Sequence, residues 1–155
     1  MFSKAAILAG VVSLASMASA GVVSFEIPKT IVPGATFTAH LTDNNATKAK
    51  DISIAFGISP GSGYPTSWGL GRDLLGKALL TNTDITPTPE NIPVDLTVPD
   101  YMEKGDATVV AVVHSLLGAG LNPISTLINA TVAVGDEVST ETVESGERLT
   151  IQHQF

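Results

Sequence analysis

The sequence contains no cysteine. No disulfide can close this fold, although small secreted domains often depend on them because their cores are thin. A domain of roughly 135 residues can bury enough apolar surface to manage without them. Such a fold is equally stable in an oxidising exterior and in a reducing cytosol. Positive charge is also scarce. Lys and Arg number 8 against 15 Asp and Glu, a formal charge of −7. A chain of that balance has no electrostatic footprint for nucleic acid or for an anionic membrane surface. Aromatic residues make up 5%, with one Trp and two Tyr, too few for a row of stacking platforms. The three histidines, His40, His114 and His153, stand apart, and no pair has metal-ligand spacing. The carboxylates are scattered singly, as on a solvated surface, rather than paired as acid and base. Neither a metal nor a cofactor is expected.

The one long apolar run is at the start. Lys4 precedes an apolar stretch from Ala5 to Met17, and Ala18-Ser19-Ala20 is a small-residue A-x-A site. This pattern predicts a secretory signal peptide over residues 1–20, too short for a membrane span, with cleavage after Ala20. The mature chain is then 155 less 20, or 135 residues, and without Lys4 its 7 basic residues face 15 acidic ones.

The rest reads as strands. In Asp51 to Ile58, Ile52, Ile54, Phe56 and Ile58 alternate with Ser53, Ala55 and Gly57, a period of two with one apolar face. Val22 to Ile27, Phe37 to Leu41, Ile92 to Val98 and Leu127 to Val134 carry similar patterns, separated by Pro/Gly and Asp/Asn turn signals. Pro93 confines its strand to an edge. Ala107 to Leu117, rich in valine, reads as a central strand buried on both faces. Leu74 to Leu80 fits a strand or a helical turn. About seven strands at this spacing predict an all-β, immunoglobulin- or fibronectin-like β-sandwich over residues 21–136, with a small barrel as the alternative. The acidic, core-poor stretch 137–155 is expected to be a mostly disordered tail.

Several stretches mimic catalytic motifs. Gly57-Ile58-Ser59-Pro60-Gly61 matches G-x-S-x-G, but the residue after Ser59 is a proline, which has no N–H for an oxyanion hole. Ser59 is expected to be a turn residue. Gly71 to Ala78 approaches a P-loop, yet Ala78 stands where a magnesium-binding hydroxyl is needed. His114 suits a satisfied core histidine. Asn45-Ala46-Thr47 and Asn129-Ala130-Thr131 are glycosylation sequons. The long Gly/Pro loop after Ile58 carries Tyr64, Trp68 and Arg72, residue types enriched at binding hot spots. These three are the candidate partner-binding residues.

Beyond these local readings, AFGISPGSGYP, Leu70-Gly71, Leu75-Gly76, Val113-His114-Ser115-Leu116-Leu117-Gly118-Ala119 and the closing Val132-Ala133-Val134-Gly135-Asp136 together resemble the necrosis-inducing secreted protein family of plant-associated fungi. The likeness runs from about Ile27 to Asp136. It implies a secreted effector, not an enzyme, that suppresses pattern-triggered immunity and provokes plant cell death. Its implied partners are receptor-like immune kinases and their cytoplasmic partner kinases, bound and inhibited, with possible entry of the effector into the host cell. The family supplies no catalytic residue to carry over. A cell-wall glycan-binding or structural module, using Trp68 and Tyr64 as stacking rings, is the alternative.

Overall fold

Alternation of apolar and polar side chains, rather than helical periodicity, sets the architecture. The computed structural model describes residues 21–43, 49–62, 69–80, 92–146 and 148–152, and every regular element among them is a strand. In chain order these are β1 (Val22–Pro28), β2 (Thr30–Ile31), β3 (Thr36–Asp43), β4 (Ala49–Pro60), β5 (Asp73–Leu79), β6 (Ile92–Thr97), β7 (Gly105–Leu117), β8 (Asn122–Val134), β9 (Thr142–Glu144) and β10 (Arg148–Gln152). They form two packed sheets. The smaller has the order β6-β3-β1-β9; the larger runs β10-β8-β7-β4-β5, with β2 parallel beside the end of β8. The fold is an all-β sandwich.

The core lies between the sheets and is built by the alternating positions read from the sequence. Phe25, Ile27, Leu41 and Leu96 from the smaller sheet meet Ile54, Phe56, Ile58 and Ile128 from the larger one, all fully buried. Phe25 and Phe56 join the layers edge to face, with ring centroids 5.3 Å apart, a geometry that adds about 0.5–1.5 kcal/mol beyond burial. The valine-rich β7 is central, between β4 and β8, and Ala107 to Ala111 are buried on both faces. Pro93 lies in β6, an edge strand, where a residue without an N–H removes no ladder bond. The ambiguous Leu74 region is a strand.

Two expectations are corrected. Among the described residues the strands number ten rather than about seven, and the acidic stretch after Asp136 contributes two of them instead of forming a disordered tail. Val143 pairs with Ile27 as β9 joins β1, and Leu149 pairs with Leu127 as β10 joins β8. Between them Ser145 donates its N–H to the Phe25 carbonyl at 2.8 Å, and its Oγ accepts the Phe25 N–H at 2.9 Å. Gly146 then donates to the Asn129 carbonyl at 2.9 Å. The C-terminal segment therefore passes from one sheet to the other and fastens both. Its sequence looked core-poor because edge strands are held mainly by backbone bonds, which need few apolar side chains.

Candidate functional site

The two outer faces of the sandwich differ in chemistry. On the smaller sheet, Glu26 and Glu144 lie opposite one another, and Asp95 is exposed on β6. Threonines fill the gaps: Thr36 and Thr97 share a hydroxyl contact at 3.0 Å, and the Thr38 hydroxyl donates to Asp95 at 2.8 Å. That face is polar and acidic.

The larger sheet is different. Its strand register aligns Leu149, Leu127, Val112, Ala55 and Lys77 across all five neighbouring strands. The next row aligns Ile151, Ser125, His114, Ser53 and Leu79. Neither row contains an acidic residue, in a chain whose formal charge is −7. Leu79 is 70% exposed. A shallow groove of about 530 Å³ is lined in part by Ser53, Ala55, Lys77, Leu79 and His114. The exposed His114 ring Nδ1 lies 3.0 Å from the Ser125 hydroxyl, so His114 is a surface residue rather than the core histidine expected.

At the other end of β5 a polar cluster adjoins this face. The chain returns after β4 and lies over that strand's outer side. Gly57 makes this possible, because a Cβ there would overlap the Leu70 carbonyl oxygen. The returning segment is pinned where the Arg72 N–H donates both to the Ile58 carbonyl and to Ser59 Oγ, each at 2.9 Å. Ser59 is thus a buried strand residue of β4, not a turn residue, and its hydroxyl serves this join. The Arg72 side chain is exposed, and its Nε meets Asp73 Oδ2 at 3.1 Å. From the turn after β6, the Tyr101 hydroxyl donates to Asp73 Oδ1 at 2.6 Å. The Tyr101 hydrogen bond, followed by that of Arg72, holds the Asp73 carboxyl below its ordinary range. The same bond to Asp73 raises the Tyr101 phenol. Asp73 thereby orients an arginine and a tyrosine whose outer surfaces stay open, beside Leu74, which is 57% exposed.

Arg72 is therefore at the cluster, and Tyr101 is the residue that sequence reading missed. As one of two tyrosines, set in a turn rather than on a strand, it carried a compositional signal. Tyr64, Trp68, Asn45 and His153 lie outside the described residues. Asn129 is half-buried on β8, opposite Val110. His40 is half-buried on β3, facing Pro93 and Glu26. The stretch resembling a P-loop is strand β5, with Ala78 opposite Ile54. Among the described residues no three His, Asp or Glu side chains gather in a way that would hold a metal ion.

A family model matches residues 18–133, from just before β1 almost to the end of β8; it is that of the Nis1 family. The chain belongs to the Nis1 family. Among curated relatives, "Necrosis-inducing secreted protein 1" of Colletotrichum orbiculare is 35% identical over 140 residues, covering 89% of this chain and 84% of the relative. "Necrosis-inducing secreted protein 1" of Colletotrichum higginsianum is 34% identical over 145 residues, covering 91% and 96%. The Nis1 match spans Arg72, Asp73, Leu74 and Tyr101 and ends before β9 and β10.

Proposed function

We infer that this protein is a secreted, non-enzymatic effector of the Nis1 family that provokes host cell death. It suppresses plant pattern-triggered immunity by binding receptor-like immune kinases and their cytoplasmic partner kinases and blocking their action. Membership of the family and the printed name of its relatives support secretion and necrosis induction. The reading of a protein partner rests on one observation: Asp73 fixes Arg72 and Tyr101, with their outer surfaces exposed, at the margin of an acid-free sheet face. Tyrosine and arginine are the side chains that most often dominate a protein interface. A cysteine-free sandwich keeps this surface under the reducing conditions of a host cytoplasm.

Mature Gly21–Phe155 is titrated against cytoplasmic domains of plant receptor-like kinases in reducing buffer, with kinase activity read in parallel. Saturable binding with inhibition is expected. Tyr101→Ala and Arg72→Ala each weaken binding by roughly 30-fold, as for a hot-spot residue. Trp68→Ala and Tyr64→Ala, expected from sequence to act in the same way, are measured beside them. Folded Tyr101→Ala protein that binds as well as the wild type refutes the site. Wild-type protein that binds no kinase in the set refutes the kinase reading.

A further inference from the structure

Asp51, in β4, faces the very start of the mature sandwich. Its Oδ2 accepts the Val22 N–H at 2.6 Å, and its Oδ1 accepts the Ser115 hydroxyl at 2.5 Å. Ser115 stands opposite it in β7 and is buried. Immediately before Val22 comes Gly21, with φ of +105°, a backbone setting that L side chains rarely adopt. An added Cβ at Gly21 would overlap both Asp51 oxygens. The backbone angle favours glycine while the leader is attached, and the carboxylate leaves no room for a Cβ here once it is gone. The nitrogen and the missing Cβ share one Cα and sit about 2.5 Å apart, so the Gly21 nitrogen lies within roughly 5 Å of the carboxylate.

Gly21 is also the residue that follows the Ala18-Ser19-Ala20 cleavage signal. While the leader is attached, its nitrogen is an uncharged amide. We propose that removal of residues 1–20 creates an ion pair between the Gly21 α-ammonium and the Asp51 carboxylate, which anchors β1 and makes the processed chain the more stable form. Hydrolysis of the Ala20–Gly21 bond adds one water. Its hydroxyl joins the Ala20 carbonyl carbon and a hydrogen goes to the Gly21 nitrogen; at neutral pH the new acid loses a proton and the new amine gains one. A unit positive charge then stands within about 4–6 Å of a unit negative charge, close enough for each to favour the other's ionised form. Among the described residues, the charged neighbours along these strands are Asp43, opposite Val22 on β3, and Lys50, next to Asp51 on β4. The precursor lacks the pair, which leaves the exported chain less firmly folded until its leader is gone.

The mass of the secreted protein tests the position of cleavage: a chain starting at Gly21 is expected, and any other start overturns the proposal. Thermal unfolding at pH 6.5 tests the pair. Gly21–Phe155 with a free amine is compared with the same chain N-terminally acetylated and with a chain retaining Ala18-Ser19-Ala20. Acetylation and extension should each lower Tm by roughly 3–5 °C. Equal Tm values for free and acetylated wild-type chains overturn the proposal without recourse to any variant. In Asp51→Asn, acetylation should cause no further loss; an unchanged loss there assigns the effect to another group and equally overturns the pair.

Discussion

The most demanding test of the fold concerns Ser145. Phe25 lies at the centre of the core with no exposed surface, yet its N–H points toward the residue just after β9, where Ser145 Oγ accepts it at 2.9 Å. Ser145→Ala removes that acceptor and leaves the Ser145 N–H bond to the Phe25 carbonyl in place. A buried donor left without a partner costs about 1–3 kcal/mol. A domain of 135 residues (155 less the leader) gains roughly 0.28 kcal/mol per kelvin in unfolding entropy near its midpoint. The expected loss in Tm is therefore about 4–11 °C. Truncation after Asp136 removes the same bond together with the β9 and β10 ladders, so it must cost more than the point substitution. Unfolding followed by circular dichroism on the mature chain measures both. If the truncated chain melts with the wild type, the C-terminal strands do not hold the sheets. If Ser145→Ala alone is neutral while truncation is not, the ladders matter and the serine does not.

Two further outcomes follow from the core and from the cluster. Phe56→Ala empties a fully buried ring site against Phe25 and should lower stability by about 3–5 kcal/mol; in a double-mutant cycle with Phe25→Ala, a coupling indistinguishable from zero would refute the edge-to-face contact. Tyr101, raised by its bond to Asp73, should ionise above the ordinary tyrosine value in an ultraviolet titration and return toward it in Asp73→Asn. Because the folded value is raised, the stabilisation from this bond is present below the ordinary phenol range and is lost as pH rises through the folded value. Asp73 works in the opposite sense: its depressed value makes the contribution present above the ordinary carboxylate range and lost as acid protonates it.

The strands that build the core were legible because burial writes a period of two into the sequence. Ile54, Phe56 and Ile58 announced β4, and the continuous valines of β7 announced a strand covered on both sides. What was not legible follows from the same physics. In Thr142-Val143-Glu144 and Leu149 to Ile151, few side chains enter the core, so edge strands held by backbone bonds resemble a polar tail. Arg72 stood out by residue type. Its partner Tyr101 is 29 positions away and meets Asp73 only because β6 and the turn after it are folded against the start of β5. No local pattern encodes that meeting. His114 misled for a related reason: it sits in an apolar run, but at a position that points away from the other sheet.

The edges of the two sheets give the surface reading its last support. An edge strand exposes backbone donors and acceptors, and soluble proteins commonly blunt such edges with proline, charge or brevity. The smaller sheet does this at both sides: β6 carries Pro93 and Asp95, and β9 is three residues long with Glu144. β5 spans seven residues and pairs with β4, and among the described residues no strand pairs with its other side. Along its outer face Leu74 and Leu79 are exposed, with Lys77 between them. Single exposed leucines are ordinary on a protein surface. Here they line one edge of the larger sheet, and Lys77 and Leu79 continue the acid-free rows that cross it. A partner approaching that edge finds a lysine, two leucines and a fixed arginine–tyrosine pair, and meets no row of acidic side chains. The opposite face, with Glu26, Asp95 and Glu144, repels acidic partners instead. If the protein docks on a partner as proposed, this asymmetry favours the larger sheet's face, and it predicts that Lys77→Glu weakens partner binding more than Glu144→Lys does, by equilibrium titration of folded variants. Equal effects would refute the choice of face.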